Sequence, residues 1–198
     1  MNKSCSYDKT CKSRLFVLAG PSGVGKGTLR KKALLGIEDL TYSISCTTRP
    51  PREGERDGVE YHFVTPQDFE ARAAAGLFLE HAVVHGFRYG TLLEYVEREM
   101  KAGKDVLLEI DVQGARRVRE ILPESVLIFV APPSLDVLEK RLRQRKTESE
   151  DKIALRLENA KKEMALLPEY DRVIVNDDLE QACGELRGIL LSYRKSSE

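Results

Sequence analysis

Eight consecutive residues near the start of the chain, Gly20-Pro21-Ser22-Gly23-Val24-Gly25-Lys26-Gly27, have the types and spacing needed to cradle phosphate. The glycines let backbone N–H groups turn inward around phosphate oxygens, and a helix starting there adds partial positive charge. Lys26 supplies a mobile full charge for the outer phosphates. The spacing Gly-x-x-x-x-Gly-Lys is moderately specific alone, and its setting sharpens it. The apolar run 15–19 before it reads as a buried strand, and 26–35 after it as a helix. The chemistry expected is transfer of a phosphoryl group from ATP, with Gly20, Pro21, Ser22, Gly23, Val24, Gly25, Lys26, Gly27 and Thr28 around the donor. One position departs from the pattern. The hydroxyl residue that normally follows the lysine as a Mg²⁺ ligand is Gly27, and Thr28 comes next. Either Thr28 takes over, partly through water, or waters and phosphates hold the metal. That departure points away from GTPases. So does the lack of an Asn-Lys-x-Asp base-reading motif, since the one Asn-Lys, Asn2-Lys3, is at the start of the chain.

A second group of candidates is basic. Arg49 and Arg52 flank the corner Pro50-Pro51. Rigid prolines fix where two guanidinium forks point, which suits a dianionic phosphate and also describes a solvated basic loop. Arg141 and Arg145 are four apart on a helical pattern and share a face, with Arg156 on the next helix. An arginine-rich helix by itself is most simply a solvated face. Asp111-Val112-Gln113-Gly114 mimics a GTPase switch motif and equally fits an acid at the carboxyl end of a strand, facing a ligand.

The elements that must position these residues follow an α/β rhythm. Runs 106–110, 126–130 and 172–175 read as further buried strands. Between them 114–122, 134–145, 150–167 and 179–193 read as helices, with Ser134 as an N-cap. This predicts a parallel sheet covered on both faces. Residues 41–90 break the rhythm. There 42–45, 60–64 and 78–82 read as short antiparallel strands and 66–75 as a short helix, together a small inserted subdomain.

The bulk numbers fit one enzyme-sized domain. At 198 residues the chain buries a real core. With 32 Lys plus Arg against 32 Asp plus Glu, net charge is zero, which argues against bulk nucleic-acid binding. Four scattered cysteines, Cys5, Cys11, Cys46 and Cys183, read as reduced thiols of a cytoplasmic protein. No apolar run reaches the roughly 20 residues of a membrane span. Residues 1–13 are polar and read as a frayed tail rather than a signal peptide.

Taken in order, Ser43-Ile44-Ser45-Cys46-Thr47-Thr48-Arg49-Pro50-Pro51-Arg52-Glu53-Gly54-Glu55, Tyr61-His62-Phe63-Val64, Phe78-Leu79-Glu80, Tyr89-Gly90-Thr91, Asp111-Val112-Gln113-Gly114 and Val175-Asn176-Asp177-Asp178 closely resemble guanylate kinase. The resemblance runs from about residue 15 to 193. It implies ATP + GMP → ADP + GDP with Mg²⁺, with dGMP as a further acceptor, in purine nucleotide metabolism and GMP recycling. It implies a P-loop three-layer α/β fold with a central parallel sheet, a small mixed α/β GMP-binding insertion and a helical lid. The divisions are a tail 1–13, a core of 14–40, 92–137 and 160–194, an insertion 41–91 and a lid 138–159. By resemblance, Arg49, Arg52, Tyr61 and Tyr89 hold the GMP phosphate, Ser45 and Thr91 read the O6 side, and Asp111 contributes nearby. The family often has Ser where Thr91 stands, and the hydroxyl is kept. Lys26, Arg49, Arg141, Arg145 and Arg156 form the catalytic set, the last three closing with the lid. Glu80 has a physical argument as well. A carboxylate only accepts; guanine offers N1–H and a 2-amino group side by side, whereas adenine has an acceptor at N1 and no 2-amino group. Such a bidentate contact discriminates by roughly 1–3 kcal/mol. The partners implied are ATP and GMP, with no nucleic acid and no membrane, in a monomer or homodimer. Two same-fold alternatives are a non-catalytic phosphopeptide-binding module and a kinase of a phosphorylated sugar. The intact Lys26 loop disfavours the first, and the second would not need Ser45 and Glu80.

Overall fold

A computed structural model describes residues 13–144 and 149–195. Arg145, Cys5, Cys11 and all but the last residue of the 1–13 segment lie outside the described residues. In chain order the elements are β1 (Leu15–Ala19), α1 (Lys26–Ala33), β2 (Leu40–Tyr42), β3 (Cys46–Thr47), β4 (His62–Phe63), α2 (Pro66–Ala74), β5 (Phe78–Val84) and β6 (Phe87–Leu92). They continue with α3 (Leu93–Lys101), β7 (Asp105–Glu109), α4 (Val112–Ile121), β8 (Val126–Ala131), α5 (Leu135–Gln144), α6 (Glu150–Met164), β9 (Arg172–Val175) and α7 (Leu179–Lys195). No described helix is long and apolar enough to cross a membrane. The chain divides into two compact units, one of residues 13–15 with Asp39–Ser125, the other of Phe16–Glu38 with the residues from Val126 onward.

The second unit is built on parallel strands. β1 pairs with β8, and β8 with β9. All five residues of β1 and all six of β8 are buried, as continuous apolar runs require in a parallel sheet. β9 departs from that expectation. Only Ile174 is buried, while Val173 and Val175 are about half exposed. It pairs on one side only within this unit, as an edge strand does. Helix α7 brings Ala182, Leu186 and Leu190 into the core, and its Arg187 closes the end of α1 by donating to the Leu35 carbonyl at 2.6 Å. Loose carbonyls at a helix C-terminus need such a partner. Ser134 caps α5, its hydroxyl accepting from the Val137 N–H at 3.2 Å.

The first unit holds two sets of strands. β2 pairs with β7 in parallel, so Leu40–Tyr42 joins the parallel strands instead of the insertion, and 43–45 is not a strand. The second set, in the order β4-β3-β6-β5, is mixed. β4 runs parallel to β3, correcting the antiparallel reading of 60–64; β3 and β5 run antiparallel to β6. A two-residue turn at His85-Gly86, both at positive φ, links β5 to β6 as tight hairpins demand. Cys46, Phe69 and Phe78 form a small core under this sheet, with Phe69 and Phe78 stacked at 4.5 Å. The α/β class thus holds, with five parallel strands among the described residues and a smaller mixed sheet.

Candidate functional site

Around the phosphate loop the second unit packs tightly enough to dictate glycine. Gly20 has φ 139° and a Cβ there would collide with the Val130 carbonyl. Gly25, at φ 98°, is the N-cap of α1, and a Cβ would sit 2.7 Å from Asn176 Nδ2. No side chain caps α1 and no acid lies in its first turn. The first-turn N–H groups therefore keep their partial positive charge directed at the loop, a ready site for phosphate oxygens. Lys26 bends back to donate to the carbonyls of Gly20 at 2.5 Å and Pro21 at 3.2 Å. Its ammonium is thus held at the mouth of the loop. Thr28 is exposed on the first turn of α1, two residues on. Among the described residues no group of three or more His, Cys, Asp or Glu is arranged to hold a metal.

Of the expected arginines, one reaches this loop and another the turn between β9 and α7. Arg156, on α6, donates to Ser22 Oγ. Arg141, on α5, donates to the Asn176 carbonyl at 2.8 Å and the Asp177 carbonyl at 3.4 Å. Helix α5 itself seats against the loop, where a Cβ on Gly23 would meet Leu142 at 2.6 Å. Asn176 is the residue that motif reading left without a role. It is 6% exposed, and its amide donates to the Val24 carbonyl at 2.7 Å. It therefore staples the phosphate loop to the turn between β9 and α7. The sequence signal, Asn176 directly after an apolar strand, is visible but says nothing about a partner 152 residues away.

In the first unit the structure brings a different set together. Arg49 is 8% exposed, with its guanidinium 5.4 Å from the Tyr61 ring centre and 5.9 Å from that of Phe63. Tyr89 Oη accepts from Arg49 Nε at 3.3 Å, and the Tyr61 and Tyr89 rings meet edge-on at 5.8 Å. Both tyrosines and the arginine thus share one place, with three potential donors for an anion. Glu55, which sequence reading left aside, already engages this group. Both its oxygens accept from Arg49 Nη2 at 2.9 Å, and one accepts from the Arg52 N–H at 2.8 Å. Burial works against the Arg49 charge, but the hydrogen bonds with Glu55 and Tyr89 hold its pKa above the ordinary value. Burial, with help from Glu109, pushes the Tyr61 phenol up to about 12, so it stays a donor at neutral pH. Arg52 itself is exposed at the loop's outer end.

The third grouping surrounds Glu80. It lies opposite Thr91 across β5 and β6, where a bulge between Phe78 and Glu80 shifts the register. The bulge makes Phe78, Leu79 and Glu80 all buried, which strict alternation forbids. Glu80 is 4% exposed, and Thr91 Oγ1 donates to its Oε1 at 2.6 Å. A hydroxyl has one proton. Thr91 therefore spends it on Glu80 and here supports the carboxylate instead of pointing a donor elsewhere. Ser45 is also buried, at 4% exposure. Asp111 caps α4, its Oδ1 accepting from the Gly114 N–H at 2.9 Å. Burial and then the Asp111 charge push the Glu80 carboxyl up to about 7, against the opposing pull of Thr91.

The arrangement offers an anion-binding helix start with a lysine in one unit. The other offers an arginine–tyrosine cluster and a buried carboxylate acceptor. Comparison with known proteins places the chain among characterised relatives. A family model described as guanylate kinase matches residues 12–193. A guanylate kinase of Symbiobacterium thermophilum is 49% identical over 183 residues, covering 92% of this chain and 87% of that protein. One from Thermus thermophilus is 50% identical over 189 residues, covering 96% and 84%. Among solved structures, a guanylate kinase from Anaplasma phagocytophilum superposes with a TM-score of 0.78 at 33% identity, covering 92% of this chain and 86% of that one.

Proposed function

This chain belongs to the guanylate kinase family, and on that premise we propose how its residues divide the ATP-dependent phosphorylation of GMP. An oxygen of the GMP phosphate attacks the γ-phosphorus of ATP. The new P–O bond forms as the bond from γ-phosphorus to the β–γ bridging oxygen breaks, and ADP departs with that electron pair. The attacking phosphate is already ionised, so no side chain has to remove a proton. What the protein supplies is position and charge.

The second unit handles the donor. The start of α1 and Lys26 hold the ATP phosphates, and Arg141 and Arg156 act on the charge that develops as the bond breaks. Arg145 joins them as an inference from the family motif alone. Mg²⁺ fits the donor set, because it keeps several waters and needs only one or two protein groups beside the phosphates. Thr28, exposed on the first turn of α1, is the hydroxyl that would hold it, directly or through water; once bound it neutralises phosphate charge.

The first unit chooses and holds the acceptor. Arg49, Arg52, Tyr61 and Tyr89 take the GMP phosphate, with Glu55 aiming the Arg49 fork. Ser45 donates toward O6, Glu80 accepts from N1–H and the 2-amino group, Thr91 supports Glu80, and Asp111 caps α4. The observation that carries the reading is Glu80. A carboxylate buried with only the hydroxyl and the backbone N–H of Thr91 as described donors, and no cation among its described hydrogen bonds, is unfavourable unless a ligand supplies further donors. Guanine supplies two. A cytoplasmic location belongs to the same proposal and agrees with Cys46 and Cys183 being free thiols.

Coupled ADP release with GMP, dGMP, AMP, UMP and no acceptor tests it. GMP should be preferred over AMP by at least about tenfold in kcat/KM, as a bidentate contact implies. dGMP should also turn over, since none of these residues is assigned to the 2′-hydroxyl. Equal rates with GMP and AMP would sink the assignment.

A further inference from the structure

The motif Asp111-Val112-Gln113-Gly114 ends in a glycine that neither phosphate handling nor helix capping explains. Gly114 is the third residue of α4 and is buried. Its backbone is not in the left-handed region that calls for glycine. Within a helix, glycine is less favourable than alanine, and the neighbouring inward positions Val112, Ala115 and Val118 all carry side chains. The N–H that Gly114 gives to Asp111 would be given equally well by any residue except proline.

What Gly114 lacks is a Cβ, and the reason lies across from it. An added Cβ would stand 2.5 Å from Glu80 Oε2 and 3.1 Å from its Cδ. Glu80 has little freedom to retreat. Its other oxygen is tied to Thr91 Oγ1 at 2.6 Å, and its backbone is fixed by the bulged pairing of β5 with β6. The carboxylate therefore sits between a hydroxyl on one side and a bare backbone on the other.

We propose that Gly114 is a specificity-determining position, whose missing side chain makes the room that holds the Glu80 carboxylate in place to read guanine. Gly114 is a positioning residue: it acts through Glu80 and does not itself touch substrate. The proposal rests on Glu80 being the base reader. A methyl group at residue 114 moves the carboxylate without altering its charge, so acceptor recognition suffers while donor handling does not.

Four variants decide the matter: Gly114→Ala, Glu80→Gln, Glu80→Ala and the double variant Gly114→Ala/Glu80→Ala. Each is measured for kcat, for KM with GMP, AMP and ATP, and for Tm. Gly114→Ala should raise the GMP KM by at least about tenfold, with kcat in the native range. The GMP-over-AMP ratio should fall, and the ATP KM should stay put. In the Glu80→Ala background no carboxylate remains to be displaced, so adding Gly114→Ala should change the GMP KM less than about twofold. An unchanged GMP KM in Gly114→Ala overturns the proposal, and so does an undiminished effect in the Glu80→Ala background. If Gly114→Ala folds poorly, Tm carries the test. Recovery of Tm in the double variant supports the clash with Glu80, and no recovery refutes it. If Glu80→Gln leaves the GMP-over-AMP ratio unchanged, the base-reading role falls. If Glu80→Gln changes the ratio and Gly114→Ala does not, only the role of Gly114 falls.

Discussion

At the scale of single residues, the balance of forces on Glu80 sets a pH dependence whose sign is fixed. Burial is the largest cause, Asp111 adds to it, and the Thr91 hydrogen bond opposes it; the carboxyl ends near 7 instead of in the usual carboxylate range. Guanine requires the ionised form, because only that form accepts from both N1–H and the 2-amino group. The GMP KM should therefore be lowest above pH 7 and climb about tenfold per pH unit well below it. Glu80→Gln should remove that slope, and steady-state profiles between pH 5.5 and 8.5 with saturating ATP check it. A slope that survives in the Gln variant would assign the titration to another group. Stability moves the other way. The folded pKa is raised, so the favourable contribution is complete below the unfolded value near 4.3 and is lost as pH rises through about 7. Glu80→Gln should thus gain most in Tm relative to the native chain at pH 8 and least at pH 4. Tyr61, pushed up to about 12, stays out of this range. Residue types and spacing made Arg49 legible as a candidate, while Glu80 and both tyrosines became candidates through the family resemblance, with the acceptor chemistry of a carboxylate supporting Glu80. They did not reveal that Glu55 already holds Arg49 Nη2 or that Thr91's proton goes to Glu80, since those are properties of neighbours.

At the scale of elements, legibility followed the length of the apolar run. β1 and β8, buried throughout, show plainly in the sequence, and so does α2, which opens on Pro66 with Thr65 as its cap. β6 and α3 do not. β6 carries Gly90 inside it, a residue that weakens a strand signal, yet a Cβ there would press on Phe78 at 2.9 Å. The bulge in β5 scrambles the alternation that would have shown which way Glu80 points. Edge position explains β9, whose apolar residues read as core although two of them face outward. The join of β9 to α7 carries the next prediction. Asn176 is the only bridge described from that join to the Val24 carbonyl, and it is buried. Asn176→Ala removes a buried hydrogen bond worth about 1–3 kcal/mol in lost stability and loosens the loop that receives phosphate. The ATP KM should rise by about tenfold, with the GMP KM unchanged. Measuring both Michaelis constants separates this from general damage, and a parallel loss in both would point to misfolding.

At the scale of the whole molecule, charge is balanced at 32 basic against 32 acidic residues, so no overall field gathers anionic nucleotides. Capture falls to local groups, and these fall in different compact units. Lys26, Arg141, Arg156 and the start of α1 belong to one; Arg49, Tyr61, Glu80, Tyr89 and Thr91 belong to the other. Sequence order hides this grouping, because the chain leaves the second unit after residue 38 and returns to it at Val126. Ligand linkage makes the grouping measurable. A ligand at 100 times its Kd adds about 2.7 kcal/mol to folding stability. Lys26→Ala should lower turnover by roughly 10²–10³-fold, the usual loss on removing one preorganised charge partner of a transition state. The same variant should keep its upward Tm shift with GMP and lose most of its shift with ATP. Glu80→Gln should do the reverse, keeping the ATP shift while its GMP shift shrinks. Loss of kcat/KM for GMP alone fails to separate these cases, because Lys26→Ala lowers it through turnover and Glu80→Gln through GMP recognition. The crossed pattern of thermal shifts separates them, and loss of both shifts in either variant would contradict the assignment of one substrate to each unit.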